Sequence, residues 1–574
     1  MKVELVAKTE PISGGSDMSV VEQAACICYN SEPTDDFKVA KACYRSFHHS
    51  VLEHISFTFK VTGVSRALLA QLSRHRHISL SVASQRYIPM GDFYIPELGI
   101  DKNKVSCKND LTEKQKNTIR DLYSNGFSTN EIGSFYGITG RIVQGVVQER
   151  MDLRTLRESK LINEEYFDKI DEPVKSYILG MIYTDGNISE RKDGNLQMSI
   201  SQHYEQRMLL SNIIKRIKKR GKVNKGGHGD STIVVQVESD KICRKLIEYG
   251  ITPRKAFTIS PEIIKQSIPE KYIRDFIRGV LEGDGHVKIE PKCKNRYKKN
   301  CVVFTGTYET LEFVRQELAN NIGTNSNQSI LNNGDGKTKR LSYGAESDVQ
   351  NILDWLYSDI DIHFIHTRKL KQIVKASDKL NEQVKNGIKK IAYEDFDCII
   401  PNKILNNIES AIEFINFCFD TRESYNKLVY NQARNGIVGE KAYENARAVL
   451  PNACCTELFL TMNARALIEA SNKRLCSRAQ DEIREMFQKM KQQVSIHSPI
   501  IASWMVPSCE KNKKYPFCPE HKSCGRHPKL ESVCQIGRCK NCKNASKHGE
   551  NMMTCNIFER DLRPDDFCSQ FEHK

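Results

Sequence analysis

Apolar and polar residues alternate along Lys2–Ala7 and again along His54–Val61, a period of two that predicts strands with one buried face. Between them the apolar positions of Val20–Tyr29 recur every three or four residues, which predicts an amphipathic helix and puts Cys26 and Cys28 on its core side. Ala67–Arg76 carries Leu68, Leu69 and Leu72 at helical spacing. It predicts a helix whose C-terminal end presents Arg74, His75 and Arg76, where the helix dipole favours cations. Far downstream, Ile408–Phe419 and Glu444–Val449 predict helices, Leu458–Met462 a strand, and Ala466–Met490 one long amphipathic helix. Strands and helices mixed in this way predict an α+β fold at both ends of the chain.

The middle of the chain has a different pattern. Leu111–Asn125, Ser128–Tyr136 and Ile138–Val147 predict three short helices separated by Gly126 and Gly137, with Ile132 and Ile138 turned inward. An ordinary three-helix bundle has this pattern, and so does a helix-turn-helix with Thr139–Gln148 as the helix that enters a DNA groove. Two copies of one motif follow, Tyr177-Ile178-Leu179-Gly180-Met181-Ile182-Tyr183-Thr184-Asp185-Gly186 and Phe276-Ile277-Arg278-Gly279-Val280-Leu281-Glu282-Gly283-Asp284-Gly285. Each is an apolar helical run with Gly at its middle and Asp-Gly at its end, and strand-like segments follow at Gln197–Ser201 and Cys301–Gly306. Glycine lets two such helices touch backbone to backbone, which brings Asp185 and Asp284 side by side. Two close carboxylates repel unless a cation sits between them, and Mg²⁺ held there suits phosphodiester hydrolysis. The pair resembles the LAGLIDADG homing endonucleases, an α/β fold with both motifs in one chain. The resemblance implies double-stranded DNA as partner, with Lys215–Lys222 and Lys292–Lys299 as contacts to its backbone.

Charge is distributed accordingly. A chain of 574 residues is too long for one core, and within residues 101–390 there are 50 Lys and Arg against 38 Asp and Glu, or +12 of the net +15. A basic surface is the footprint of a nucleic-acid binder. No run of eighteen apolar residues occurs and Met1 leads straight into a strand-like alternation, so neither a membrane span nor a signal peptide is expected. Of the 20 cysteines, eight fall between Cys509 and Cys568 and the rest sit among apolar neighbours, as in a cytoplasmic protein with reduced thiols. Cys539, Cys542, Cys555 and Cys568 combine one CxxC with two later thiols, a tetrahedral zinc set for a segment too short to own a core. Cys534 or His548 could replace one of them, and free thiols on a disordered tail are the alternative.

Arg74-His75-Arg76, followed by Ser84-Gln85-Arg86-Tyr87, gathers cations that need an anion between them, and Arg grips phosphate bidentately. The run resembles the signature of flavin-dependent thymidylate synthases. That resemblance extends over residues 1–87 and 391–530, through His48-His49-Ser50-Val51-Leu52-Glu53-His54 upstream and Ala446–Pro451, Thr461–Arg465 and Arg474–Arg484 downstream. It implies methylation of dUMP to dTMP with methylenetetrahydrofolate, FAD and NADPH, in a homotetramer. Position by position it implies Gln71, Arg74, Ser84, Gln85, Arg86, Arg447 and Arg474 at dUMP, with Arg474 stabilising the ionised uracil. At FAD it implies Ser50, Arg74, His75, Arg76, Asn463, Ala464, Arg465 and Glu469. Two positions depart from the family: Val82 stands where Glu or Gln is usual, and Glu469 where His or Asn is usual. Both bear on affinity rather than on reaction type. Cys509, Cys518 and Cys524 are similar to the C-terminal end of many such synthases and are read as structural, with a metal as the alternative.

The expected organisation is therefore a split synthase at 1–100 and 391–530, a helix-turn-helix region at 108–165, a two-motif endonuclease at 170–375 and a Cys-rich tail at 532–574. Ile373–Lys390 is read as a polar connector. A surface loop tolerates such an insertion because closure entropy grows only logarithmically with length. Gly91–Glu97 echoes Glu394–Asn402, as if host sequence were duplicated at the junction. A self-splicing insert would end in Asn before Cys, Ser or Thr, and no such Asn occurs between Phe364 and Asn402. Two other readings stay open at this point: an endonuclease or intein-like element whose host synthase is inactive, and a non-catalytic nucleic-acid-binding scaffold.

Overall fold

A computed structural model describes residues 1–85, 90–92, 94–155, 158, 161–227, 231–253, 261–290, 300–333, 338–511 and 516–529, and in backbone alone 545–547, 553–555 and 560–562. The chain folds into two compact units. One holds residues 1–84, 397–402 and 451–574, and the other 85–396 and 403–450. Residues 403–450, which the sequence groups with 451–530, thus fold with the insert.

The first unit is built on an antiparallel four-stranded sheet in the order Lys2–Lys8, Ser56–Ser65, Cys455–Asn463, Ile78–Val82. Phe57, Phe59, Val61, Leu458, Leu460 and Met462 bury one face under the Asp17–Tyr29, Ala464–Arg474 and Asp481–His497 helices. Alternate residues such as Lys60, Glu457 and Phe459 are exposed on the other face. Cys26 is buried as expected, but Cys28 is exposed. Ser65 joins the two halves of the sequence: its amide and hydroxyl donate to the two carboxylate oxygens of Glu482, each at 2.6 Å.

Two helix ends differ from expectation, and both matter later. The helix expected over Ala67–Arg76 runs from Arg66 to Leu72, and the chain turns through His77, whose φ of 57° lies in the left-handed region, into the Ile78–Val82 strand. The single helix expected over Ala466–Met490 is two, Ala464–Arg474 and Asp481–His497. Arg484 stabilises the break by donating to the Ser477 and Ala479 carbonyls at 2.9 and 3.0 Å, which the interrupted helix leaves unsatisfied.

In the second unit, Thr112 and Ser128 close capping boxes with Gln115 and Glu131 at the starts of the Glu113–Ser124 and Thr129–Tyr136 helices. Gly137, at φ 67°, turns the chain into Gly140–Gln148, and Ile132, Ile138, Val143 and Val147 form a core that includes Ala433 of the long Ile408–Arg434 helix. That helix is longer than the expected Ile408–Phe419. The connector is helical too, over Asp378–Glu394, with Leu380, Val384, Ile388 and Ile391 as its buried stripe.

The two repeated motifs form the Pro173–Asp185 and Glu270–Gly283 helices, each leading into an antiparallel four-stranded sheet. The first sheet runs Gly186–Glu190, Leu196–His203, Thr232–Val237, Asn224–Lys225. The second runs Ile330–Asn332, Lys339–Tyr343, Cys301–Gly306, His286–Lys288. In both, the strand after the motif lies at an edge. Among the described residues no helix is long and apolar enough to cross a membrane, and the cysteines are free thiols.

Candidate active sites

The two motif helices meet at their glycines. A Cβ on Gly180 would collide with the Phe276 carbonyl oxygen, and one on Gly279 with that of Tyr177. This contact fixes the ends of both helices. A Cβ on Gly283 would lie 2.9 Å from Asp185 Oδ2, and Asp284 is the next residue. Gln202 Nε2 donates to the same Asp185 oxygen at 2.7 Å. Lys369, from the Thr367–Ile373 helix, donates to the last carbonyls of the second motif helix, at Leu281 (2.6 Å), Glu282 and Gly283 (3.0 Å). Burial lowers the Lys369 pKa to about 8, while Glu282, Asp185 and Asp284 pull it upward. The amine therefore senses both aspartates. Sequence reasoning missed Lys369; its signal was a lysine after the second sheet, in His366-Thr367-Arg368-Lys369, with no spacing tied to either motif.

Beneath the aspartates, Glu282 is fully buried and accepts from the Tyr177 hydroxyl (2.6 Å) and the His366 amide (2.7 Å). Arg278 lies 3.7 Å from its other oxygen and packs 4.0 Å over the Tyr177 ring. A buried carboxylate so partnered holds the helix pair in one register. A cavity of about 1090 Å³, lined by Gln202, His203, His286, Lys288, Arg368 and Lys369 among others, opens between the two sheets.

In the basic run Lys215–Lys222, three side chains have partners within this unit, while Lys215, Arg216, Lys219 and Lys222 are exposed. Lys215 pairs with Asp92 and Glu423 at 3.6 Å, Lys219 donates to the Ser124 carbonyl, and Arg220 pairs with Glu131 and covers the Phe127 ring. Its charges link the three-helix region to the region of the paired motif helices. Lys292–Lys299 lies outside the described residues. On the Gly140–Gln148 helix, Arg141, Gln144 and Gln148 are exposed.

In the first unit the break after the Ala464–Arg474 helix sets the site. Arg474 Nε donates to His75 Nε2 at 2.8 Å, and Nη1 and Nη2 donate to the side-chain and backbone oxygens of Gln71 at 3.3 and 3.1 Å. Gln71 Nε2 in turn donates to Gln480 at 2.5 Å. Arg474 is half-buried, and burial together with the neighbouring Arg74 charge lowers its pKa. A cavity of about 350 Å³ is lined by Arg74, His75, Arg76, Asn463, Arg465, Glu469 and Lys473. Asn463 accepts from the Ala466 amide and caps the helix, and Arg465 is held by Glu53 at 2.7 Å and Glu469 at 2.9 Å.

The structure thus gathers Arg74, His75, Arg76, Asn463, Arg465, Glu469, Gln71 and Arg474. Ala464 is buried behind Asn463, and Ser50 is exposed in the His49–His54 turn. Gln85 and Arg447 belong to the second unit. Gln85 Nε2 is buried without a hydrogen-bond partner among the described residues, and Arg447 lies 3.7 Å from Glu444. Arg86 lies outside the described residues, as do the side chains of Cys539, Cys542, Cys555 and Cys568. The tail backbone forms a three-stranded antiparallel sheet of Ala545–Lys547, Met553–Cys555 and Arg560–Leu562.

Fold and site define a sheet-based α+β domain with a cationic cavity, interrupted by a segment with paired Gly-centred helices. The family described as thymidylate synthase complementing protein matches residues 5–159 and 368–500, half of the chain, and the chain belongs to that family, split around an insertion. It is 28% identical over 203 residues to the flavin-dependent thymidylate synthase of Clostridium tetani, an alignment covering 34% of this chain and 77% of that protein. The enzyme of the same name from Nitratidesulfovibrio vulgaris is 31% identical over 140 residues, covering 24% and 56%. Among solved structures, the I-SmaMI LAGLIDADG homing endonuclease bound to cleaved DNA is similar at 17% identity and a TM-score of 0.26, covering 42% of this chain and 96% of that one. The LAGLIDADG meganuclease I-CpaMI bound to uncleaved DNA is similar at 13% identity and a TM-score of 0.25, covering 38% and 96%. At those scores the likeness has no weight of its own, and the insert is read from its own geometry.

Proposed function

We propose that the second unit cleaves double-stranded DNA with Mg²⁺ held by Asp185 and Asp284. The observation that carries this is the Gly180–Gly279 contact, which leaves two carboxylates at one end of the helix pair beside a large cavity with basic walls. Carboxylate oxygens suit a hard divalent cation. When bound, Mg²⁺ would supply charge stabilisation at the scissile phosphate. Of the chain's own groups, Gln202 orients one Asp185 oxygen, and Lys369 holds the carbonyls that precede Asp284. The exposed Arg141, Gln144 and Gln148 would read base edges, chemistry for which Arg and Gln are suited. A duplex spanning the uninterrupted host gene, incubated with purified protein and Mg²⁺, should be cut on both strands. No cleavage, or equal cleavage by Asp284→Asn, would refute the assignment.

We infer that the first unit makes dTMP from dUMP with methylenetetrahydrofolate, FAD and NADPH; its similarity to flavin-dependent thymidylate synthases supports the flavin and the product class. The residues fit such a ligand: Arg74, Arg76, Arg465 and Lys473 converge on one cavity against Glu53 and Glu469, a surplus of positive charge suited to a pyrophosphate. When bound, FAD would supply the redox chemistry. Arg474, held at three points by His75 and Gln71, would present its charge to the ionised uracil without having to move. Ser50, Ser84, Gln85, Arg86 and Arg447 would make the ligand contacts that the family pattern implies for them. A homotetramer is what the family pattern implies for this unit, and the tail thiols would take zinc. Flavin absorbance of the purified chain, together with dUMP-dependent oxidation of the folate, tests this reading; a flavin-free, inactive protein would favour a dead host.

A further inference from the structure

Among the described residues from 508 to 529, Cys518 is the one buried residue, and the one helical element is the Ser508–Glu510 turn. A segment with no apolar core of its own needs another source of order. Four thiols and an imidazole surround one small cavity here: Cys476, Cys509, Cys518, Cys524 and His527 line a space of about 10 Å³, room for one atom-sized guest. The Cys509 thiol, a Glu510 carboxylate oxygen and a His527 ring nitrogen all lie within 4.8 Å of one another, a metal-binding arrangement found nowhere else among the described residues. His527 Nε2 is buried without a hydrogen-bond partner. The Cys518 amide donates to the Pro528 carbonyl at 2.8 Å, which ties the second thiol beside the histidine.

We propose that Cys509, Cys518, Cys524 and His527 bind a structural Zn²⁺ ion that pins this segment to the turn following Arg474. Cys518 and Cys524 line the same cavity outside that 4.8 Å group and would turn onto the ion to complete a closed tetrahedral set of three thiolates and one imidazole, and Cys524 and His527 have the two-residue spacing common in small zinc sites. The Glu510 oxygen of that arrangement lies 2.5 Å from Arg526, and soft thiolates compete better than a carboxylate for this metal. Cys476 forms the floor of the cavity and belongs to the turn between the Ala464–Arg474 and Asp481–His497 helices. Arg478 of the same turn donates to the Lys522 carbonyl at 2.5 Å. A metal that orders this segment would reach the turn after Arg474 through the Arg478–Lys522 hydrogen bond. The proposal does not depend on the reaction assigned above.

Zinc is to be measured in the full chain carrying Cys539→Ser and Cys542→Ser, which removes the CxxC of the tail. One zinc per chain is expected, and Cys524→Ser or His527→Ala added to that background should each lose it. In the same background with all four ligands intact, Cys509, Cys518 and Cys524 should resist alkylation until a chelator is added, as read by peptide mass spectrometry. This second measurement holds even if a ligand variant does not fold. A zinc-free chain, thiols that react equally with and without chelator, or a disulfide between any two of the three would overturn the proposal.

Discussion

Arg474 Nε lies 2.8 Å from His75 Nε2, two residues brought together from opposite ends of the chain. A guanidinium can only donate, so the imidazole must accept, which requires His75 to be neutral with its proton on Nδ1. Burial, Arg474 and Lys473 lower the His75 pKa from 6.5 to about 4. A group whose folded pKa is depressed contributes stability above its unfolded value and loses it as pH falls through the folded one. The thermal midpoint should therefore fall between pH 6.5 and 4. In His75→Gln, which can still accept but cannot titrate, that part of the fall should be absent in parallel melts.

Arg474→Ala should lower dUMP-dependent turnover by a hundred- to a thousandfold, roughly 3–4 kcal/mol, the cost of losing one donor to a developing anion in a water-poor site. Flavin reduction by the nicotinamide does not need that anion and should persist. Stopped-flow absorbance separates the two steps, and full synthase turnover in the variant would remove Arg474 from its assigned role.

Asp284→Asn should abolish Mg²⁺-dependent strand cleavage and leave synthase turnover intact. Lys369→Met should also impair cleavage while duplex binding survives, since this amine, although it lines the cavity, is committed to the carbonyls at the helix end. Supercoiled-plasmid nicking and gel-shift titrations read the two properties separately. Loss of binding in parallel with cutting would place Lys369 on the DNA instead.

His363 bridges Asp361 and Asp395, at 2.5 Å to the first, and so ties the end of the connector helix to the region of the paired motif helices. Despite burial, the two carboxylates raise its pKa from 6.5 to about 9. Here the sign is reversed: stability is fully present below pH 6.5 and disappears as pH rises through about 9. His363→Gln should flatten the melting profile over that window, and an unchanged slope would show that the bridge contributes little.

Much of this was legible because it is local. A period of two over Lys2–Ala7, and Gly at the centre of each Asp-Gly motif, report the strand and the helix crossing directly. What escaped depends on partners distant in sequence. The break before Asp481 is stabilised by Arg484 reaching back to two carbonyls, so hydrophobic periodicity runs through it unmarked. Charge clusters escape in the same way: the sequence shows Lys215–Arg220 only as a basic run, and the fold adds Asp92, Glu131 and Glu423 as partners for Lys215 and Arg220. Lys369 and His363 carry no motif at all; only the fold gives them neighbours.

The pairing of Ser56–Ser65 with Cys455–Asn463 also sets a schedule. Residues 66–454 must be synthesised before the second strand exists, which at roughly 5–20 residues per second takes about 20–80 s on the ribosome. Throughout that time one edge of the first strand has no partner, in a segment rich in β-branched and aromatic residues, while the whole insert can emerge and fold. Chaperone demand during translation, rather than stability of the finished protein, is where the insertion should cost its host most.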